Sequence, residues 1–298
     1  MVRTGGKDVR RRKTAFDFVM DTFVYGVLVL LAITTVVPFM RVIAISLSPA
    51  EIVGKYGLHL IPEKVTFDGY IKVFYHSLIW KAYSNTIART ILGTGISVFL
   101  YIIGAYPLSK KYLPNKKFWT MIIIFTMYFS GGLIPSYILV TKTLHLQNTI
   151  WSLVLPSAVS AYTLIIIRNF FMTIPDEIEE SAKIDGANDI YILFSIIIPL
   201  SKAVLATITL WCLVYHWNSW FDCMIYITDQ NKYVLQLVLR MILIEGQVQD
   251  LTTTTTTFVN TDTMKMATLV VATLPIICAY PFMQKYFVKG VIIGSVKG

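Results

Sequence analysis

The chain has 298 residues, 55% of them hydrophobic and only 14% charged, with a mean hydropathy of +0.64. So apolar a composition excludes a water-soluble globule of this length and marks a protein that crosses a membrane several times. The net charge of +9 lies beside apolar runs and not on the face of a soluble fold, which sets nucleic-acid binding aside, and Cys212, Cys223 and Cys278 form neither a disulfide framework nor a metal-ligand spacing.

From the N-terminus, residues 1–22 read as a basic tail carrying Arg3, Lys7, Arg10, Arg11, Arg12 and Lys13. The apolar run that follows is as long as a membrane span and lacks a small-residue cleavage pattern, so it reads as a retained first helix. A helix needs about 20 residues to cross the hydrocarbon. Six segments qualify, near 23–45, 86–108, 118–140, 150–170, 196–227 and 266–288, which predicts an all-α, polytopic domain over 23–288 with a tail at 289–298. Pro38, Pro107, Pro135, Pro156, Pro199, Pro275 and Pro281 fall inside or at the ends of these spans, where neighbouring helices satisfy the freed carbonyls. Two long loops are expected, 46–85 and 228–265; the second holds a threonine run at 252–257 that reads as a solvated spacer. No internal repeat is visible.

Lys and Arg set the orientation of such a chain. The loops sharing a side with the N-terminus hold fifteen of them, among them Lys110, Lys111, Lys116, Lys117, Arg168 and Lys183, against eight on the other side. Both termini and the loop 173–195 are therefore expected in the cytoplasm. Arg41, Arg89 and Lys202 lie near span ends and read as snorkelling side chains, while His59, His76 and His145 are isolated loop residues.

The loop 173–195 reads as two short helices around a turn. Thr173 can cap, Pro175 suits the first turn, and Asp176 and Glu177 place negative charge at the positive end of the helix dipole. Asp185-Gly186 stops the first helix, because glycine most easily takes the left-handed conformation past a helix end. Ile178, Ser181 and Ala182 share one face, continued by Ala187, Ile190, Tyr191 and Phe194, and the small residues would let a partner approach. A helix lying on the inner leaflet would carry Lys and Arg on its polar face. This one carries Asp176, Glu177, Glu179, Glu180, Asp185 and Asp189 against Lys183, which favours a protein partner.

Outward from Glu180 the order is Glu-Ser-Ala, three residues, Gly186, nine residues, Ile196, one residue, Ile198-Pro199. This resembles the EAA loop of ABC importer permeases, with Ser181 for alanine and Ile198 for leucine. The end from Gln284 to Gly298, Arg168-Asn169-Phe170-Phe171 and Trp217-Asn218 are similar to the MalG-like carbohydrate permeases, over most of residues 23–298. Phe129-Ser130-Gly131-Gly132-Leu133-Ile134-Pro135 is similar to a branch associated with complex oligosaccharides. The resemblance implies a type I importer permease fold in a bacterial cytoplasmic membrane, in which Glu179, Glu180, Ser181, Ala182, Asp185, Gly186 and Ala187 couple the chain to an ATPase. It also implies a second, different permease, two ATPase subunits that use ATP and magnesium, and an extracellular solute-binding protein. This chain itself has no Gly-x-x-x-x-Gly-Lys-Ser/Thr sequence and no catalytic or metal residues of its own are expected.

The fifth segment concentrates Trp211, Tyr215, His216, Trp217, Asn218, Trp220 and Asp222, the aromatic faces and hydrogen-bonding groups that bind sugars, although an interfacial aromatic belt has the same composition. Tyr128, Gly131 and Gly132 form a second candidate stretch of the solute path, where paired glycines serve either close helix packing or a local break. The alternative is a secondary transporter driven by an ion gradient, which would want a midplane carboxylate; the centres of spans one to four and six offer none. A purely structural subunit would leave the acidic loop without a purpose.

Overall fold

A computed structural model of the chain describes residues 15–53, 57, 60–244 and 261–295, and every regular element among them is helical. The basic residues 3–13, His59, the threonine run 252–257 and residues 296–298 lie outside the described residues, as do the side chains of 282–295. In chain order the longer helices are α1 (Ala15–Ser46), α2 (Asp68–Tyr75), α3 (Ser77–Ser109), α4 (Lys116–Tyr128), α5 (Leu133–Thr143), α6 (Trp151–Ser157), α7 (Ala161–Phe171), α8 (Asp176–Ile184), α9 (Asp189–Leu200), α10 (Lys202–Asn218), α11 (Phe221–Tyr226), α12 (Leu235–Ile244) and α13 (Thr261–Ser295), with single helical turns at Ala50–Val53 and Gln230–Lys232.

Two helices, Phe16–Ser46 and Ser77–Ser109, are each long and apolar enough to cross a bilayer alone. Three further helix pairs are long and apolar enough only when taken together, and each is bent: α4 with α5 at 108°, α6 with α7 at 53°, and α9 with α10 at 84°. The segment expected at 266–288 lies within α13, which runs unbroken through Pro275 and Pro281. The segment 196–227, read from hydropathy as one span, is divided. Ser201 ends α9 just after Pro199, and Ser219–Trp220 interrupts the chain between α10 and α11. Hydropathy is blind to such breaks, because the residues around them remain apolar.

The chain divides into two compact units, Met1–Tyr70 with Phe258–Ala267, and Ile71–Thr257 with Thr268–Gly298. In the first, α1 is apolar around most of its circumference and largely uncovered, as suits a helix facing lipid. Its end is tied locally: Ser46 Oγ lies 2.8 Å from Tyr70 Oη, Thr66 N donates to the Leu47 carbonyl, and Thr263 Oγ1 donates to the Ser48 carbonyl.

The second unit is built around α3. Ala82, Thr86, Thr90, Gly93, Ser97, Tyr101 and Ala105 recur every three or four residues and are buried, giving α3 a face of mainly small and hydroxylated side chains. Lipid tails are as apolar as leucine, so helices in a bilayer associate through such close packing and not through hydrophobic exclusion. Tyr101, Ala105, Leu164, Ile167, Phe171, Ile192, Ile197, Leu205 and Ile208 form one core shared by α3, α7, α9 and α10. A smaller cluster of Leu153, Cys223, Ile227, Val234 and Leu237 joins α6, α11 and α12.

Candidate functional site

The acidic loop folds as two helices around a glycine turn. Pro175 occupies the N-cap position of α8 with φ −58° and ψ 135°, while Thr173 Oγ1 donates back to the Phe170 carbonyl at 2.7 Å; Thr173 is therefore not the cap that its residue type suggested. Asp176, Glu177 and Glu179 stand in the first turn, where the helix dipole favours them. Gly186 takes φ +84°, and the next amide, Ala187 N, donates to the Ala182 carbonyl across the turn at 2.9 Å. That is the left-handed helix stop expected at Asp185-Gly186. Asn188 then caps α9, its Oδ1 accepting from Tyr191 N at 2.8 Å.

The faces are distributed differently from the simple helical reading. Ala182 and Ala187 pack against the core of the second unit, so these small residues seat the loop on its own chain. Glu179 is buried and ion-paired with Lys110, whereas Glu180, Ser181 and Asp185 are exposed. The outward apolar surface is Ile184, 87% exposed, with Ile190 at 70% and Tyr191. Ile184 is the residue that sequence reasoning missed. Its signal was present as an aliphatic side chain closing an otherwise charged helix.

The segment between α3 and α4 grips this loop. Lys110 pairs with Glu179, Lys111 Nζ lies 2.6 Å from Asp176 Oδ2, and Tyr112 Oη donates to Asp189 Oδ1 at 3.2 Å. Lys183 pairs with Asp189 at 3.0 Å and lies 4.6 Å from the centroid of the Tyr112 ring. The hydrogen bond from Lys111 holds the Asp176 carboxyl below its ordinary pKa, and the same bond raises that of Lys111. The Lys183 ammonium is likewise raised, first by its hydrogen bond to Asp189. The Lys111–Asp176 and Lys183–Asp189 pairs are exposed, so each stabilises little.

The second candidate region is a polar cavity of about 600 Å³ bordered by Ser136, Ser157, Tyr215, Asn218, Trp220 and Asp222. Asn218, exposed at the end of α10, donates from Nδ2 to the Val214 carbonyl. Trp220 sits in the break after α10, with the Arg240 guanidinium 4.0 Å from its ring centroid. Trp217 lies elsewhere. It is 7% exposed, meets Tyr83 edge-to-face at 5.8 Å, and has no hydrogen-bond partner for Nε1 among the described residues. With Trp211 it borders a separate, apolar cavity of about 650 Å³.

Asp222 is held by Arg89. The guanidinium bonds both carboxylate oxygens, and it also donates to the Ser219 carbonyl at 3.1 Å and the Leu153 carbonyl at 3.3 Å. Arg89 is fully buried and not snorkelling as its place near a span end suggested. A buried guanidinium needs a carboxylate and carbonyls; the α10–α11 junction supplies Asp222 and the Ser219 carbonyl, and α6 the Leu153 carbonyl. Tyr128 is 86% exposed, and Gly131 and Gly132 lie in the sharp break between α4 and α5, Gly132 with φ +90°. Among the described residues nothing lies within 4 Å of a Cβ at Gly131, so within this chain the pair marks the break.

Residues 78–293 match the family described as binding-protein-dependent transport system inner membrane component. The polygalacturonan/rhamnogalacturonan transport system permease protein YtcP of Bacillus subtilis (strain 168) is 41% identical over 283 residues, 93% of this chain and 98% of that protein. Protein LplC of the same organism is 42% identical over 274 residues, 89% of this chain and 90% of LplC. Among solved structures, a bacterial ABC transporter involved in the import of the acidic polysaccharide alginate superimposes with a TM-score of 0.87 at 32% identity, over 92% of this chain and 98% of the matched chain.

Proposed function

This chain belongs to the inner-membrane components of binding-protein-dependent transport systems, and on that premise we propose that it forms one half of the path through which an ATP-driven importer takes up an oligosaccharide. The observation that carries the reading is the loop α8–α9, which is seated on its own core through Ala182 and Ala187 while presenting Ile184, Ile190 and Tyr191 beside Glu180. An apolar patch rimmed by acids on a short rigid helix suits a groove in a partner protein. That partner is a pair of ATPase subunits, which bind ATP and magnesium; this chain holds neither and catalyses nothing. A second, different permease and an extracellular solute-binding protein complete the importer, and both termini of this chain face the cytoplasm.

Relatives named for polygalacturonan/rhamnogalacturonan and for alginate support a saccharide as the cargo. The polar cavity is the section of path this chain contributes: Trp220 and Tyr215 offer ring faces, and Asn218, Ser136 and Ser157 offer hydrogen bonds. Hinge or rocking motion driven through the loop would open that cavity alternately to each side. An ion-driven mechanism is disfavoured by Asp222, whose carboxylate is neutralised by Arg89 and so is not poised to carry a cation. The test is uptake by the complete importer in proteoliposomes, offered oligogalacturonides, alginate oligomers and neutral glucose oligomers. ATP-dependent uptake of one of these is expected to vanish when the partner ATPase is inactivated. Uptake that persists on a proton or sodium gradient would overturn the reading.

A further inference from the structure

We propose that Lys110, Lys111 and Tyr112 form an intrachain clamp that makes the docking loop move as one body with α3, and that this clamp decides how much of each ATP cycle reaches the solute path. The inference rests on the coupling role proposed above for the loop. Three consecutive residues engage three acids distributed over both loop helices: Glu179 and Asp176 on α8, and Asp189 on α9. Lys183 bridges Asp189 and the Tyr112 ring, which closes the set into a ring of contacts.

The Lys110–Glu179 pair differs in kind from the others. Both side chains are buried, and the Lys110 ammonium lies 4.1 Å from the centroid of the Tyr106 ring on α3. Burying two charges costs about as much as their attraction returns, so such a pair is a poor device for stability alone. Its geometry, however, is hard to leave, because separating the partners strands a charge in a dry site. The end of α3 is fixed as well: Arg168 Nε donates to the Leu108 carbonyl, Lys116 Nζ to the Ser109 carbonyl, and Lys110 N to the Pro107 carbonyl. Cations on the last carbonyls oppose fraying of that end.

From this anchored end α3 is continuous to Arg89. At 1.5 Å per residue the distance is roughly 30 Å. There Arg89 holds Asp222 and the Ser219 carbonyl, which belong to the break bordering the polar cavity. One continuous helix therefore carries an ion pair just past its C-terminal end, on the docking loop, and a second at Arg89 within its length, on the cavity wall. A displacement of α8 is passed along α3 to the cavity without any intermediate flexible joint.

The test uses the complete importer in proteoliposomes, with Cys212, Cys223 and Cys278 replaced by Ser and Asn218→Cys as a reporter at the cavity. A membrane-impermeant maleimide measures its labelling rate with and without ATP and vanadate. In the parental complex nucleotide is expected to change that rate about ten-fold, the size of an ordinary inter-site coupling. With Glu179→Gln, ATP hydrolysis continues but the change falls below about two-fold, and the reciprocal swap of Lys110→Glu with Glu179→Lys restores most of it. Asp176→Asn with Asp189→Asn, both at exposed positions that fold safely, is expected to reduce the change by about half. A full nucleotide-dependent change in an assembled Glu179→Gln complex would overturn the clamp; should that variant fail to assemble, an unaltered change in the Asp176→Asn/Asp189→Asn complex overturns it. Failure of the parent itself to respond to ATP, with uptake on an ion gradient, would instead overturn the function on which the clamp rests.

Discussion

Gly93 of α3 and His216 of α10 approach so closely that a Cβ at position 93 would lie 2.5 Å from two atoms of the imidazole ring. Both residues are buried, and His216 borders the aromatic end of α10, meeting Tyr215 edge-to-face at 5.3 Å. Glycine at 93 is thus what permits the His216 ring of α10 to pack on the small-residue face of α3.

Gly93→Ala is therefore expected to destabilise the chain by about 1–3 kcal/mol, the usual cost of overpacking a filled site. Gly95→Ala is the control, since nothing lies within 4 Å of a Cβ there. Thermal unfolding of the two variants in the same detergent checks this; equal midpoints would mean that the imidazole moves aside at no cost.

Arg89→Leu is expected to cost about 3–5 kcal/mol, because it leaves Asp222 without its partner and frees the Ser219 and Leu153 carbonyls. Asp222→Asn, at a partly exposed carboxylate, is expected to be milder. Yield of folded chain and thermal midpoint measure both, and the double variant is expected to recover part of the Arg89→Leu loss.

Gly186→Val is expected to abolish most transport, since a β-branched residue opposes the φ of +84° by about 1–3 kcal/mol. Ala182→Ser, which adds one polar atom at a half-buried position, is expected to be tolerated better. Glu180→Lys alters only the exposed surface of α8, so it is expected to weaken ATPase attachment while leaving the fold intact. Co-purification of the ATPase subunits, with uptake measured on the assembled fraction, separates the three.

The two tryptophans near the end of α10 are expected to behave differently. Trp217→Ala removes a buried ring that packs on Tyr83, and is expected to lower stability by about 3–5 kcal/mol. Trp220→Ala is expected to raise the KM for solute with little change in assembly, because that ring borders the polar cavity. Similar assembly and similar uptake in the two variants would show that neither assignment holds.

The all-helical, polytopic fold and the acidic loop were legible in the sequence because both are local: long apolar runs, charges between them, and a glycine where the chain must take positive φ. What escaped was long-range. Lys110, Lys111 and Arg89 read as charges that orient or snorkel, since a sequence shows a cation's neighbours along the chain and not the acids 65 to 133 residues away that receive it. The breaks at Ser201 and Ser219 were hidden by the same apolarity that revealed the span. Ala182 and Ala187 were assigned to an outer face because helical periodicity identifies a stripe and not what the stripe meets.

At 31 residues, the apolar part of α1 is roughly 46 Å long, against a hydrocarbon layer of about 30 Å. The excess must be absorbed by tilt, by local thickening of the lipid, or by projection of the Phe16–Asp21 end into the headgroups. Because the described residues cover so little of this helix, acyl-chain length is one variable expected to act on its inclination. Reconstitution in thin and thick bilayers is expected to change the tilt of α1.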